Sequence, residues 1–208
     1  MEQEQVTNLL SPKTTTALRI YLLGNFQIER DTTPTRLPRR KVEALLAYLL
    51  LHPEQHSRDT LATLIWGDTS DSLRTALVTL RQHLGETLLL SDRTHVQLNQ
   101  DFPIWVDLHV LLDWAKHPDK MDLSDPEFCT SLLALWQAEL LTDFYEDWIG
   151  VEREHYRAQL LKFFLNLTQM LRAQSEYKRA IEVANHLLRF DPANEAAHQH
   201  LMFCYVAS

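Results

Sequence analysis

Glycine is scarce in this chain, four in 208 residues, which disfavours an all-β protein built on tight turns and leans towards helices. Cysteine is scarcer still: Cys129 and Cys204 stand far apart and form no C-x-x-C pair. That excludes a disulfide framework and a cysteine zinc site, and fits a reducing, cytoplasmic setting. No apolar run approaches the roughly 20 residues that a bilayer crossing needs, so no membrane partner is expected. The opening "MEQEQVTNLLSPKTTTA" is acidic and lacks the apolar centre of a signal peptide; residues 1–16 read as a flexible leader. Also missing are G-x-S-x-G, P-loop and dinucleotide signatures, so neither an enzyme nor a cofactor is indicated.

An excess of positive charge is absent too. The net charge is −8, which taken as a sum argues against a nucleic-acid partner. The distribution is uneven. Residues 17–108 carry ten Lys and Arg against eleven Asp and Glu, and residues 109–208 carry nine against fifteen. The acidity therefore sits in the second half, and the near-neutral first half has room for local basic clusters such as Arg39, Arg40 and Lys41.

Ten histidines raise the question of a metal site. His52 and His56 are four apart, but Pro53 between them breaks the helix that would align them; His198 and His200 point in different directions on a helix. Neither pair has a third ligand and H-E-x-x-H is absent, so no metal is expected. Glu152 and Glu154 beside His155 read as a solvated helix face.

What is present suits two domains of about 100 residues each. "LRIYLLGNFQIER" places two short β-type runs around Gly24 and Asn25, a hairpin or sharp bend. "LPRRKVEALLAYLLLHPE" puts Val42, Leu45, Leu46, Leu49 and Leu50 on one helical face, opened by Pro38 and closed by Pro53. "HSRDTLATLIWGD" predicts a shorter helix with Ser57 as N-cap, Leu61, Leu64 and Ile65 inward, and Gly67 as terminator. In "SDSLRTALVTLRQHLG" a third helix turns Leu73, Ala76, Leu77, Leu80 and Leu84 inward and ends at Gly85. "TLLLSDRTHVQL" then reads as strand, turn from Ser91 to Thr94, strand.

Strands, three helices and a hairpin are the element order of a winged helix, whose third helix enters the major groove. That helix presents Arg74, Thr75, Val78, Thr79, Arg81 and Gln82 outward: guanidiniums for guanine edges or phosphates, hydroxyls and an amide for bases or backbone, and a valine for a thymine methyl. Arg81 lies on the flank, where an internal ion pair is the alternative. Arg93 in the hairpin turn faces the adjacent backbone or minor groove. Arg39, Arg40 and Lys41 crowd a helix N-terminus that the dipole makes unfavourable for cations, which suggests a phosphate or polymerase contact or an acidic neighbour, with a plain solvated cluster as the alternative.

From about Val106 helical periodicity takes over. One helix, a break around Thr142 to Tyr145 and a second long helix are expected across "SLLALWQAELLTDFYEDWIGVEREHYRAQLLKFFLNLTQMLRAQ". "SEYKRAIEVANHLLRFDPANEAAHQHLMFCYVAS" is a helical hairpin with Ala180, Ala184, Leu187 and Pro192 at tetratricopeptide spacing. Such repeats hold partners and rarely perform chemistry. Trp136, Phe144, Tyr145 and Trp148 are expected to pack in cores or between domains, and the final helix, uncapped at "FCYVAS", suggests a piece of a longer protein.

In order along the chain, "LRIYLLGNF", "LPRRKVEALLAYLLLHP", "DTLATLIWGD", "LRTALVTLRQHLG", "LWQAELLTDFYEDWIGVEREHY" and "LLRFDPANEAAHQHLMFCY" resemble the SARP-type bacterial transcriptional activators. The resemblance runs from about Leu18 to Tyr205. It implies a mainly α fold with a small β part: an OmpR-like winged helix-turn-helix domain over 17–107, then an all-α, tetratricopeptide-like bacterial transcriptional activator domain over 108–208. It further implies binding to direct repeats in double-stranded promoter DNA and recruitment of RNA polymerase; a homodimer is a further expectation. Residues 67–72, between the second and third helices, are shorter than in that family. The alternative from the residues alone is a non-DNA interaction module of a larger signalling protein.

Overall fold

The structure, a computed structural model, describes residues 18–67 and 70–207. The leader 1–16, residues 68 and 69 of the short connection, and Ser208 lie outside the described residues. The described chain divides into two compact units: residues 18–106 together with Leu141–Gly150, and residues 107–140 together with 151–207.

The first unit opens with β1 (Leu18–Tyr21), β2 (Gln27–Arg30) and β3 (Thr33–Thr35), followed by α1 (Arg40–Leu51), β4 (His56–Ser57), α2 (Arg58–Trp66), α3 (Ser70–Leu84), β5 (Leu89–Ser91), β6 (His95–Leu98) and β7 (Ile104–Val106). β1 and β2 form the expected hairpin, pairing Leu18 with Arg30 and Ile20 with Ile28. Not anticipated were β3, which extends the hairpin, and β7, which runs parallel to β1 and completes a sheet in the order β3-β2-β1-β7. Three-residue strands carry too little period to be read from sequence. β4, β6 and β5 make a second, antiparallel sheet, with β5 and β6 as the wing hairpin.

The three helices form where their apolar stripes predict. Val42, Leu45, Leu46, Leu49 and Leu50 of α1 are buried, as are Leu73, Ala76, Leu77, Leu80 and Leu84 of α3. Ser57 caps α2 by accepting the Thr60 amide at 3.3 Å, and Gly67 ends it at φ 88°. Leu64 departs from its expected place. It is 36% exposed, because Leu61, Ala62 and Ile65 already cover the inner face of so short a helix.

Two contacts pin the C-terminus of α3. The guanidinium of Arg30 donates to the Leu84 carbonyl at 2.7 Å, satisfying a group the helix cannot satisfy itself and complementing its negative end. Gly85 follows at φ 134°, where a Cβ would lie 2.9 Å from the Phe102 ring; only glycine fits both the backbone and the space.

Leu141–Gly150 is integral to this unit. The Leu141 and Thr142 amides donate to the Leu22 and Gly24 carbonyls, each at 2.8 Å, continuing the β1–β2 turn. Asp143 accepts the Phe26 amide at 3.0 Å and the Arg40 guanidinium at 2.8 Å, and Arg40 also donates to the Asp143 carbonyl. Phe144 is fully buried, edge-on to Phe26, with Arg40 over its ring at 3.8 Å. Trp148 meets Tyr48 edge-on. The helix break is therefore a clasp. The break as a whole runs from Trp136 to Glu146, longer than the sequence suggested, and the clasp is its part from Leu141 onward, in which Tyr145 is 88% exposed rather than packed.

The second unit holds α4 (Asp107–Lys116), α5 (Pro126–Leu135), most of α6 (Asp147–Ala173), α7 (Tyr177–Phe190) and α8 (Glu195–Ala207). Asp125 caps α5, whose first residue is proline. Ala180, Ala184 and Leu187 of α7 are fully buried, as are Ala197 and Cys204 of α8, so small side chains let these helices approach closely. Asn194 accepts the Ala197 amide at 3.0 Å and starts α8. Both cysteines are buried free thiols.

Trp136 forms the centre of this unit. It stacks on Phe190 at 3.9 Å and meets Phe164 at 4.9 Å, and its carbonyl accepts the His186 Nε2 proton at 2.6 Å. Burial pulls the His186 pKa down, against the hydrogen bond to Trp136 and with the repulsion of Arg189. A histidine depressed in the folded state stabilises above its unfolded pKa and loses that stabilisation as pH falls. Denaturant melts should thus show this unit weakening as pH drops below the ordinary histidine range. His186→Gln should remove part of that slope; an unchanged slope would assign it elsewhere.

Candidate nucleic-acid interface

Once the leucines of α3 are buried, 3.6-residue geometry fixes what lies opposite. Arg74, Thr75, Val78 and Gln82 are exposed, and Thr79 is half-buried. Arg74 and Gln82 have no hydrogen-bond or ion-pair partner among the described residues. Val78 is 44% exposed, an uncovered apolar spot amid polar neighbours. Thr75 and Thr79 donate their hydroxyl protons one turn back, to the Asp71 carbonyl at 3.1 Å and the Thr75 carbonyl at 2.9 Å. What they offer outward is lone pairs, suited to amino donors on base edges.

Arg81 is turned away from this row. Its Nη2 donates to Ser91 Oγ at 2.6 Å and to the Leu89 carbonyl at 3.4 Å, both on β5. The flank position does give an internal contact, as hydrogen bonds to the wing and not an ion pair.

The basic cluster at the start of α1 separates into two kinds. Arg39 and Lys41 are exposed and line a shallow cleft with Trp66, Ser72, Thr75 and Thr79, which places them beside the N-terminal half of α3. Arg40 points elsewhere and is held by Asp143, Glu43 and the Phe144 ring. Burial opposes its charge, but Asp143, Glu43 and Glu146 hold it more firmly protonated than an ordinary arginine. A guanidinium so engaged is a structural tie.

On the wing, Asp92 accepts the Thr94 and His95 amides, each at 2.7 Å, and these bonds hold its carboxyl below the usual range. The turn is thereby closed, leaving Arg93 exposed and without a partner among the described residues. Sequence reasoning overlooked Arg58. Its amide donates to the Thr94 carbonyl at 2.9 Å and its guanidinium to the Asp92 carbonyl at 3.1 Å. The signal was available: a cation in the first turn of a helix is as misplaced there as at Arg39.

His52 and His56 come together in spite of the proline between them. Pro53 ends α1 as expected, but the chain reverses into β4 and brings His56 back to His52, with ring centroids 6.2 Å apart and Tyr48 against both. Glu54 lies 3.7 and 3.8 Å from the two imidazoles. Among the described residues no group of three or more His, Cys, Asp or Glu is placed to hold a metal ion, and no helix is long and apolar enough to cross a membrane.

Comparison with known proteins adds two findings. Residues 126–208 match the family model of the bacterial transcriptional activator domain, a family of transcription regulators and not of enzymes. The fold is similar to that of Mycobacterium tuberculosis EmbR, solved in complex with a low-affinity phosphopeptide, with a TM-score of 0.72 and 19% identity. That match covers 92% of this chain and 55% of the other, so the chain spans about half the length of the protein it resembles. No curated protein matches the sequence.

Proposed function

We propose, from the premise that this is a SARP-type chain in which a winged helix-turn-helix unit is joined to a bacterial transcriptional activator domain, that it binds promoter DNA in a sequence-specific way and activates transcription in the cytoplasm. The observation that carries this reading is the outward row of α3: Arg74, Thr75, Val78 and Gln82 uncovered, on a helix whose other face is wholly buried. In the major groove Arg74 is suited to guanine, Thr75 and Gln82 to amino and carbonyl edges, and Val78 to a thymine methyl. Arg39 and Lys41 lie beside one strand's phosphates and Arg93 reaches the neighbouring backbone or minor groove. Thr79 supports the row from its half-buried position, and Arg40 and Arg81 drop from the contact set. The second unit, with its tetratricopeptide-like hairpin, contacts RNA polymerase, and pairs of chains sit on direct repeats.

Selection of duplexes from a random pool, followed by titration of the recovered sequence at several salt concentrations, tests this. Three phosphate contacts by Arg39, Lys41 and Arg93 give a log–log salt slope of about −3. No enriched sequence, together with salt-independent binding to a protein partner through α3, would establish the interaction-module reading instead.

A further inference from the structure

We infer that Arg81 and Arg58 are positioning residues that brace the wing against the helix-turn-helix, so that Arg93 meets the DNA backbone in fixed register with the bases under α3. This rests on the DNA-binding reading above and assigns to Arg81 a role other than base contact.

Each helix of the pair sends one guanidinium to the wing. Arg81, near the end of α3, holds β5 through Ser91 Oγ at 2.6 Å and the Leu89 carbonyl at 3.4 Å. Arg58, at the start of α2, holds the turn through its guanidinium on the Asp92 carbonyl at 3.1 Å, while its backbone amide meets the Thr94 carbonyl. Asp92 closes the turn from within. The tip carrying Arg93 is thus fixed on three sides by charge-assisted or backbone hydrogen bonds, which are stronger and more directional than neutral contacts. A pre-set arginine forfeits less freedom on binding than one on a loose hairpin. For Arg81 to reach a base it must first surrender Ser91, after which β5 loses its tie to α3.

The test is a double-mutant cycle on a fluorescein-labelled duplex recovered by selection, with an unrelated duplex as control. In the wild-type background Arg93→Ala is expected to weaken binding about tenfold. In Arg81→Met, which keeps an unbranched stem but no donors, the same change should cost less than about twofold, because the two sites are coupled. Ser91→Ala, which removes only the acceptor, should reproduce part of the Arg81 effect and carries the cycle if Arg81→Met fails to fold. Losses that multiply independently, with Ser91→Ala binding like the wild type, overturn the bracing role while leaving DNA binding intact. A wild-type chain that selects no duplex, or an Arg74→Ala variant of unchanged affinity, overturns both.

Discussion

Alanine at both Arg74 and Arg93 is expected to lower affinity for a selected duplex by about 10²- to 10³-fold, because it removes one base-edge contact and one backbone contact. Neither side chain has a partner among the described residues, so the folded state has little to lose. Thermal unfolding should stay within about 2 °C of the wild type, as for other exposed substitutions. The two losses differ in kind. Arg74→Ala alone should relax sequence preference at one position, whereas Arg93→Ala should weaken all duplexes alike and make the salt slope shallower by about one. Gel-shift titration of both single variants at two salt concentrations separates them, and equal loss of preference in both would refute the division of roles.

Phe144→Ala should produce the largest change in stability, about 3–5 kcal/mol as for other buried phenylalanines. Phe144 is fully buried against Phe26 and beneath the Arg40 guanidinium, so its removal empties the clasp and strips Arg40 of the ring it covers. For a unit of this size the melting temperature should fall by about 15 °C or more. Calorimetry that resolves the units should assign the loss to the winged-helix unit. A loss below about 1 kcal/mol would show that Leu141–Gly150 is not part of that unit's core.

Long periodic segments were legible before any coordinates. Five buried positions in α1 and five in α3 repeat at helical spacing, and the face left over follows from geometry alone. That reading named Arg74, Thr75, Val78, Thr79, Arg81 and Gln82 as outward and set Arg93 in a turn; Thr79 is half-buried instead, and Arg81 is bonded to β5. Arg39, Arg40 and Lys41 looked alike in sequence because adjacent residues on a helix carry no sign of which neighbour each will meet. Asp143, about a hundred positions further on, decided that Arg40 is a tie.

The sequence by itself determined the long amphipathic helices, most of the faces they bury and where the β1–β2 and wing turns fall, since these depend on local spacing and turn chemistry. The tertiary structure alone decided that β7 pairs with β1, that Leu141–Gly150 returns to the winged-helix unit, and that Arg58 and Arg81 spend their charge on the wing. Each of those is a pairing between residues distant along the chain or on different elements. No local period encodes such a pairing; it forms only when packing brings a donor to an acceptor that cannot be satisfied nearby.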